Sequence, residues 1–178
     1  MTEAISSRKH PFHLLTLAYV GDQVEACTIV LRGVKERSIT FHTNVHSKKV
    51  KSFHIEPNVT LLGYDLDHKW QVRLKGKAIC HHQNDESLQA WNNMKDFSKL
   101  CYSLPPPGCE IKHLDNDKRA QADQLEKIQT HPLTGYDNFV VVEVQVSHIE
   151  SLHLHHLGHK RILTTYQNNV WKSQFISP

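Results

Sequence analysis

The chain has 178 residues, 39% of them hydrophobic, and its 21 Lys and Arg against 18 Asp and Glu leave a net charge of +3. That length suits a single domain (1–178) with a substantial core, and basic residues spread along the whole chain make no electrostatic footprint for nucleic acid. The opening MTEAISSRKHPFH has no apolar run of the signal-peptide kind and no segment reaches membrane-spanning length, so neither a nucleic acid nor a membrane is expected as partner and the cytoplasm is the expected compartment.

Residues 1–10 are polar and read as a flexible tail. A first strand is expected over His13–Val20, closed by the turn Gly21-Asp22-Gln23, and a second over Glu25–Gly33, where Thr28-Ile-Val-Leu31 is rich in β-branched residues. Gly33–Arg37 reads as a hairpin turn. Ser38–His42 alternates, with Ile39 and Phe41 on one face and Thr40 and His42 on the other. Helical spacing follows, placing Val50, Phe53 and His54 on one side with Pro57 as the stop.

Between that strand and that helix lies a polar turn with Thr43, Asn44, Ser47, Lys48 and Lys49. A strand that opens a helix through such a turn presents backbone N–H groups and the positive end of the helix dipole, which together suit a phosphate. Two lysines in a first helical turn oppose the dipole, and a bound anion would remove the conflict. The alternative is that Lys48, Lys49 and Lys51 form the solvated face of a short surface helix.

Further strands are expected over Val59–Tyr64 and Trp70–Ile79, joined by the turn Asp65–Lys69. In the second of these, Trp70, Val72 and Leu74 alternate with Gln71, Arg73 and Lys75. Asp85–Met94 has helical spacing, with Leu88, Trp91 and either Lys95 or Met94 on a shared side and Asn84 or Asp85 as cap. Leu104–Gly108 reads as a polyproline connector, and Asp115–Lys127 as a modest surface helix suggested by Ala120, Ala122, Leu125 and Ile128. Asn138–Val146 is apolar enough to be buried on both faces. Ile149–Leu154, Arg161–Tyr166 and Val170–Ile176 complete seven or eight strands, the last two joined by an Asn168-Asn169 hairpin turn. Short, sequence-adjacent strands with tight turns predict a mainly β, antiparallel sheet that closes on itself, with inserted helices.

The four cysteines, Cys27, Cys80, Cys101 and Cys109, form no C-x-x-C pair and read as thiols. Fifteen histidines include the cluster His148, His153, His155, His156 and His159. His153 and His155 would share a strand face and His156 would point away, so no metal site is assigned.

Four motifs in order carry a family likeness: Thr28-Ile-Val-Leu-Arg32, Phe41-His-Thr-Asn-Val-His-Ser-Lys-Lys49, Glu56-Pro-Asn-Val-Thr-Leu-Leu62 and Gln71-Val-Arg-Leu-Lys-Gly-Lys77. Together they resemble the pyridoxamine 5'-phosphate oxidase family over about residues 12–100, and more faintly in Asn138–Leu154 and His159–Arg161. The resemblance implies an FMN-binding split β-barrel, a homodimer with the flavin between its subunits, and FMN as cofactor. It implies a cofactor-binding set of Thr28, Arg32, His42, Thr43, Asn44, Ser47, Lys48, Lys49, Gln71 and Arg161. In it Lys48 and Lys49 hold the phosphate, and Gln71 reaches the flavin from the neighbouring subunit.

Three positions depart from the family pattern. Cys27 stands where an arginine is usual, Leu152 where a tryptophan packs on the flavin, and Leu157 at the first arginine of the Arg-x-His-x-Arg substrate motif. The ending looks more like a divergent bacterial oxidase-like flavin protein than the true oxidase. The resemblance therefore implies an FMN-dependent oxidoreductase acting on a small-molecule substrate or electron donor, with no catalytic residue assigned. A flavin carrier without a substrate site is the alternative reading, and a haem-binding split barrel using the C-terminal histidines is a third.

Overall fold

The computed structural model describes residues 2–110 and 118–178, which form two compact units: Met1–Phe41 with Ser52–Ile79 and Val142–Pro178, and His42–Lys51 with Cys80–Val141. Nine strands and five α-helices are present among the described residues.

The first unit is built on antiparallel ladders. Strand β1 (Leu14–Val20) pairs with β2 (Val24–Val30) around the expected three-residue turn, where Gly21 donates its N–H to the Gln23 carbonyl (2.9 Å). Leu15, Leu17 and Tyr19 are buried while Leu14, Thr16 and Val20 are exposed, the period of two that a strand with one covered face requires. Gly33–Lys35, expected as a turn, is a short strand β3 against β4 (Ser38–Asn44), in the register Gly33↔Thr40 to Lys35↔Ser38. An added Cβ at Gly33 would stand 2.4 Å from Thr40 Oγ1, which explains how a glycine can serve here as strand rather than turn.

Strand β5 (Asn58–Asp65) pairs with β1 and with β6 (Trp70–His81), and the hydrogen-bonded order of the sheet is β2-β1-β5-β6-β7-β4-β3. Strand β7 (Phe139–His153) is one fifteen-residue element, so the separate strand expected over Ile149–Leu154 is its second half. Its first residues, Phe139–Val142, are all buried, as an apolar run covered on both faces should be. Strand β8 (Lys160–Gln167) pairs with β7 and β9 (Val170–Ile176), and Asn168 and Asn169 turn the last hairpin with φ of 51° and 62°, the left-handed pair of a type I′ turn. Gly76 on β6 lies where a Cβ would come within 2.2 Å of the Gln145 carbonyl oxygen, so β6 and β7 approach too closely there for any other residue.

The turn between β5 and β6 is set by Asp65. Its Oδ1 accepts the N–H groups of Asp67 and His68 (both 3.0 Å), and its Oδ2 meets the His68 ring at 2.9 Å. The backbone bond from His68, followed by that residue's ring, holds the Asp65 carboxyl below its ordinary pKa. A carboxylate depressed in the folded state stabilises the fold above its unfolded pKa, and that contribution disappears as pH falls through the folded value. Asp65→Asn is therefore expected to flatten the acid limb of the stability profile below about pH 4 while leaving the neutral-to-basic limb parallel to wild type, as read from thermal midpoints across that range. An unchanged acid limb would show that the turn does not depend on this charge.

The N-terminal segment expected to be loose carries a helical turn, α1 (Glu3–Ser6), with Ala4 fully buried and its carbonyl 2.7 Å from His13 Nδ1. One small side chain and one buried histidine anchor it, a tertiary effect with no local signature.

The second unit has its own core. Trp91, Phe139, Tyr102 and Val141 are buried together, with Trp91 5.3 Å from Phe139 and 5.8 Å from Tyr102 between ring centroids. Helix α3 (Asp85–Asn92) is capped by Asn84 in a reciprocal box with Ser87. The apolar side differs from expectation: Ser87 and Trp91 are buried and Leu88 is exposed. Ser87 can be buried because its hydroxyl bonds the Asn84 carbonyl (2.9 Å) and the Tyr136 hydroxyl (2.8 Å). Helix α4 (Asp96–Lys99) was not legible in the sequence; Lys99 in it is buried, 3.2 Å from Asp96, with its ammonium 5.5 Å from the Trp91 ring centroid. Helix α5 (Lys118–Thr130) matches the surface helix expected over Asp115–Lys127 in its later part, with Ile128 buried; residues 115–117 lie outside the described residues. Among the described residues no helix is long and apolar enough to cross a membrane.

Candidate functional site

In the second unit, His42, Thr43, Asn44, Ser47, Lys48 and Lys49 lie on one continuous strand–turn–helix segment, the end of β4 and the start of α2 (Lys48–Ile55). Asn44 shapes the turn. Its Oδ1 accepts the His46 N–H (2.9 Å), its carbonyl accepts the Ser47 N–H (3.0 Å), and the next residue, Val45, donates to the Asn138 carbonyl (2.9 Å). This is the local bonding by which Asn competes with regular structure and ends a strand. The Ser47 carbonyl then accepts the Val50 N–H (3.1 Å), the first turn of the helix, and Thr43 Oγ1 lies 3.3 Å from Ser47 Oγ.

Asn44 and Ser47 are buried, Thr43 and Lys49 half-buried and Lys48 exposed, so the segment grades from a fixed floor to a solvent-facing pair of cations. No acidic residue stands in the first turn of α2. Cations there work against the helix dipole by about 0.3–1 kcal/mol each, a cost an anion would reverse. Two hydroxyls, two ammonium groups and a helix start with no carboxylate fit a phosphate. The three helical positions expected to face one way are corrected in part: Val50 and Phe53 are buried, but His54 is exposed and Ser52 is buried in its place. His42 packs edge-on against Phe139, with ring centroids 4.9 Å apart, so it also belongs to the core of this unit.

The other four candidates belong to the first unit. Thr28 is exposed on β2 opposite Thr16, and Arg32 is exposed just after it, its N–H donated to the Thr40 carbonyl (2.9 Å). Gln71 is half-buried on β6, two residues from Arg73 and therefore on the same face. Arg161 on β8 binds Glu150 of β7: Arg161 Nη2 lies 3.0 Å and Arg73 Nη1 3.1 Å from the same Glu150 Oε1. Glu150 was missed by sequence reading. The signal that could have found it is one acidic residue on a central strand flanked by arginines on the two strands beside it.

Cys27 and Leu152, two of the three departures, are half-buried on β2 and β7, and Leu157 is exposed between β7 and β8. None of the four cysteines is in a disulfide, and burial pushes the Cys80 thiol above its ordinary pKa, away from nucleophilic use. The histidine cluster does not converge as a ligand set. The rings of His153, His155 and His156 follow one another at 5.8 and 4.4 Å, with His153 stacked on Trp70 at 4.8 Å. His155 Nδ1 accepts the Leu157 N–H (3.2 Å) and His159 Nδ1 accepts the His155 N–H (3.1 Å).

No family model matches the chain. Over 77 residues, 42% of its length, it is 34% identical to the pyridoxine/pyridoxamine 5'-phosphate oxidase of Burkholderia lata, and over 87 residues, 48% of its length, 33% identical to that of Burkholderia ambifaria. These matches span only 36% and 40% of the relatives' own lengths. The fold is that of a pyridoxamine 5'-phosphate oxidase-related, FMN-binding protein from Nostoc punctiforme, with a TM-score of 0.79 at 22% identity, covering 99% of this chain and 93% of that one. It is equally like PhzG from Burkholderia lata, solved with tetrahydrophenazine-1-carboxylic acid, with a TM-score of 0.79 at 16% identity, covering 99% and 87%. The antiparallel split β-barrel expected from the sequence is thus the fold observed.

Proposed function

Taking the chain as a divergent relative of the pyridoxamine 5'-phosphate oxidase-like proteins, we propose that it is an FMN-dependent oxidoreductase. The observation that carries this reading is the strand-to-helix corner Thr43–Lys49, where buried polar groups fix the turn and two lysines occupy a helix start without a carboxylate. Lys48, Lys49 and the hydroxyls of Thr43 and Ser47 bind the phosphate, and Asn44 holds the backbone that presents them. The family likeness assigns Thr28, Arg32, His42, Gln71 and Arg161 to the rest of the cofactor, with Gln71 reaching it from the neighbouring subunit. When bound, FMN supplies the hydride and electron chemistry, so the chain needs no nucleophile or acid–base pair of its own. By the same likeness the active form is a homodimer with flavin at the subunit interface.

Cys27, Leu152 and Leu157 make a B6 phosphate a poor fit as substrate, because each removes a charge or a stacking ring at a position the family uses. The tetrahydrophenazine carboxylic acid held by PhzG makes a reduced nitrogen heterocycle the second class to try. Leu157 and Leu152, which replace the substrate arginine and the stacking tryptophan, favour a carrier as the competing reading. The test is the visible spectrum of freshly purified protein, followed by anaerobic addition of NADH, NADPH, pyridoxamine 5'-phosphate and a reduced phenazine. Flavin absorption bleached by one of these supports the oxidoreductase. A stable flavin spectrum inert to all of them supports the carrier, and a colourless protein that takes up no added FMN rejects both.

A further inference from the structure

We propose that Glu150 is the positioning residue for Arg161, fixing its guanidinium on the face of the sheet that carries Gln71; this rests on the flavin reading above. Strand β7 pairs with β6 on one side and, through its second half, with β8 on the other, so Glu150 stands between Arg73 and Arg161. Both guanidiniums meet the one oxygen, Glu150 Oε1, at 3.1 and 3.0 Å. The carboxylate side chain is only 12% exposed, against 35% and 27% for the arginines. Two cations and one anion leave a net positive charge in a half-buried cluster.

Arg161 engages Glu150 through Nη2, and its Nε is buried with no hydrogen-bond partner. A sheet staple alone leaves that donor unexplained, because a buried N–H without an acceptor opposes folding. A guanidinium held by one terminal nitrogen, with a second donor in reserve, suits a residue that completes its bonding on a ligand acceptor. Arg73 is on the same face as Gln71, so Glu150 holds the flavin candidate Arg161 directly and ties the strand that carries Gln71 only through Arg73.

The test is FMN affinity of the full chain, followed by quenching of flavin fluorescence, for wild type, Glu150→Gln, Arg161→Ala and the double variant, with thermal midpoints alongside. Glu150→Gln is expected to weaken FMN binding about tenfold, by analogy with the lower end of the loss when a residue that supports a metal ligand is removed. Arg161→Ala should lose at least as much, and the double variant no more than Arg161→Ala within about twofold, because Glu150 acts only through Arg161. A staple would instead lower the thermal midpoint and give losses that multiply. Affinity of Glu150→Gln within about twofold of wild type, or multiplying losses, overturns the inference while leaving the flavin reading intact. A wild type that binds no FMN overturns the flavin reading, and this inference with it. If Glu150→Gln does not fold, Glu150→Asp keeps the charge but draws it back from Arg161, and the same loss and the same non-additivity are expected; unchanged affinity overturns the proposal.

Discussion

Replacing Lys48 and Lys49 together by alanine is expected to weaken FMN binding about a hundredfold while changing riboflavin binding less than about threefold. Charge-assisted hydrogen bonds to a phosphate contribute about 1.5–3 kcal/mol each, and each 1.4 kcal/mol is tenfold in affinity. The upper end of that range is not expected, because Lys48 is exposed and water screens it, whereas Lys49 is half-buried and carries more of the effect. The apo protein should not be destabilised, since removing two cations from the first turn of α2 relieves a clash with the helix dipole. Isothermal titration with both ligands measures the difference. An equal loss for FMN and riboflavin would place the two lysines away from the phosphate.

Trp91→Ala is expected to cost about 3–5 kcal/mol, a large fraction of the roughly 5–15 kcal/mol that holds a domain folded. Trp91 is fully buried at the centre of the Tyr102, Phe139 and Val141 cluster, and its indole N–H donates to the Pro132 carbonyl at 2.7 Å. Alanine there leaves a cavity lined by the three rings of Tyr102, Tyr136 and Phe139 and strands that carbonyl without its donor. Because His42 packs on Phe139, the same change should loosen the strand end that leads into Thr43 and Ser47. Urea denaturation followed by far-UV circular dichroism measures the loss; a change below about 1 kcal/mol would mean the cluster is not the core of that unit.

The legible parts of this chain are those where local chemistry agrees with tertiary demand. The β4–α2 corner could be read because an alternating strand, an Asn-containing turn and a helical period follow one another within sixteen residues. The Asn168-Asn169 hairpin and the Asn84 cap were legible for the same reason. What could not be read depended on partners far away in sequence. Ser87 displaces Leu88 from the core because Tyr136, 49 residues on, offers it a hydroxyl. Ser52 rather than His54 turns inward on α2, and no spacing rule favours a serine over a histidine there. Gly33 is strand rather than turn because Thr40 lies against it. At the candidate site, the lysines and hydroxyls were visible as a pattern, whereas Glu150 acquires its role only once β6, β7 and β8 are side by side.

The most direct measurement is titration of the purified wild-type protein with FMN and, separately, with riboflavin, each followed by flavin fluorescence quenching. The account predicts saturable FMN binding at least about a hundredfold tighter than riboflavin, the margin two charge-assisted phosphate contacts supply. Equal affinity for the two flavins, or no uptake of FMN at all, would contradict it.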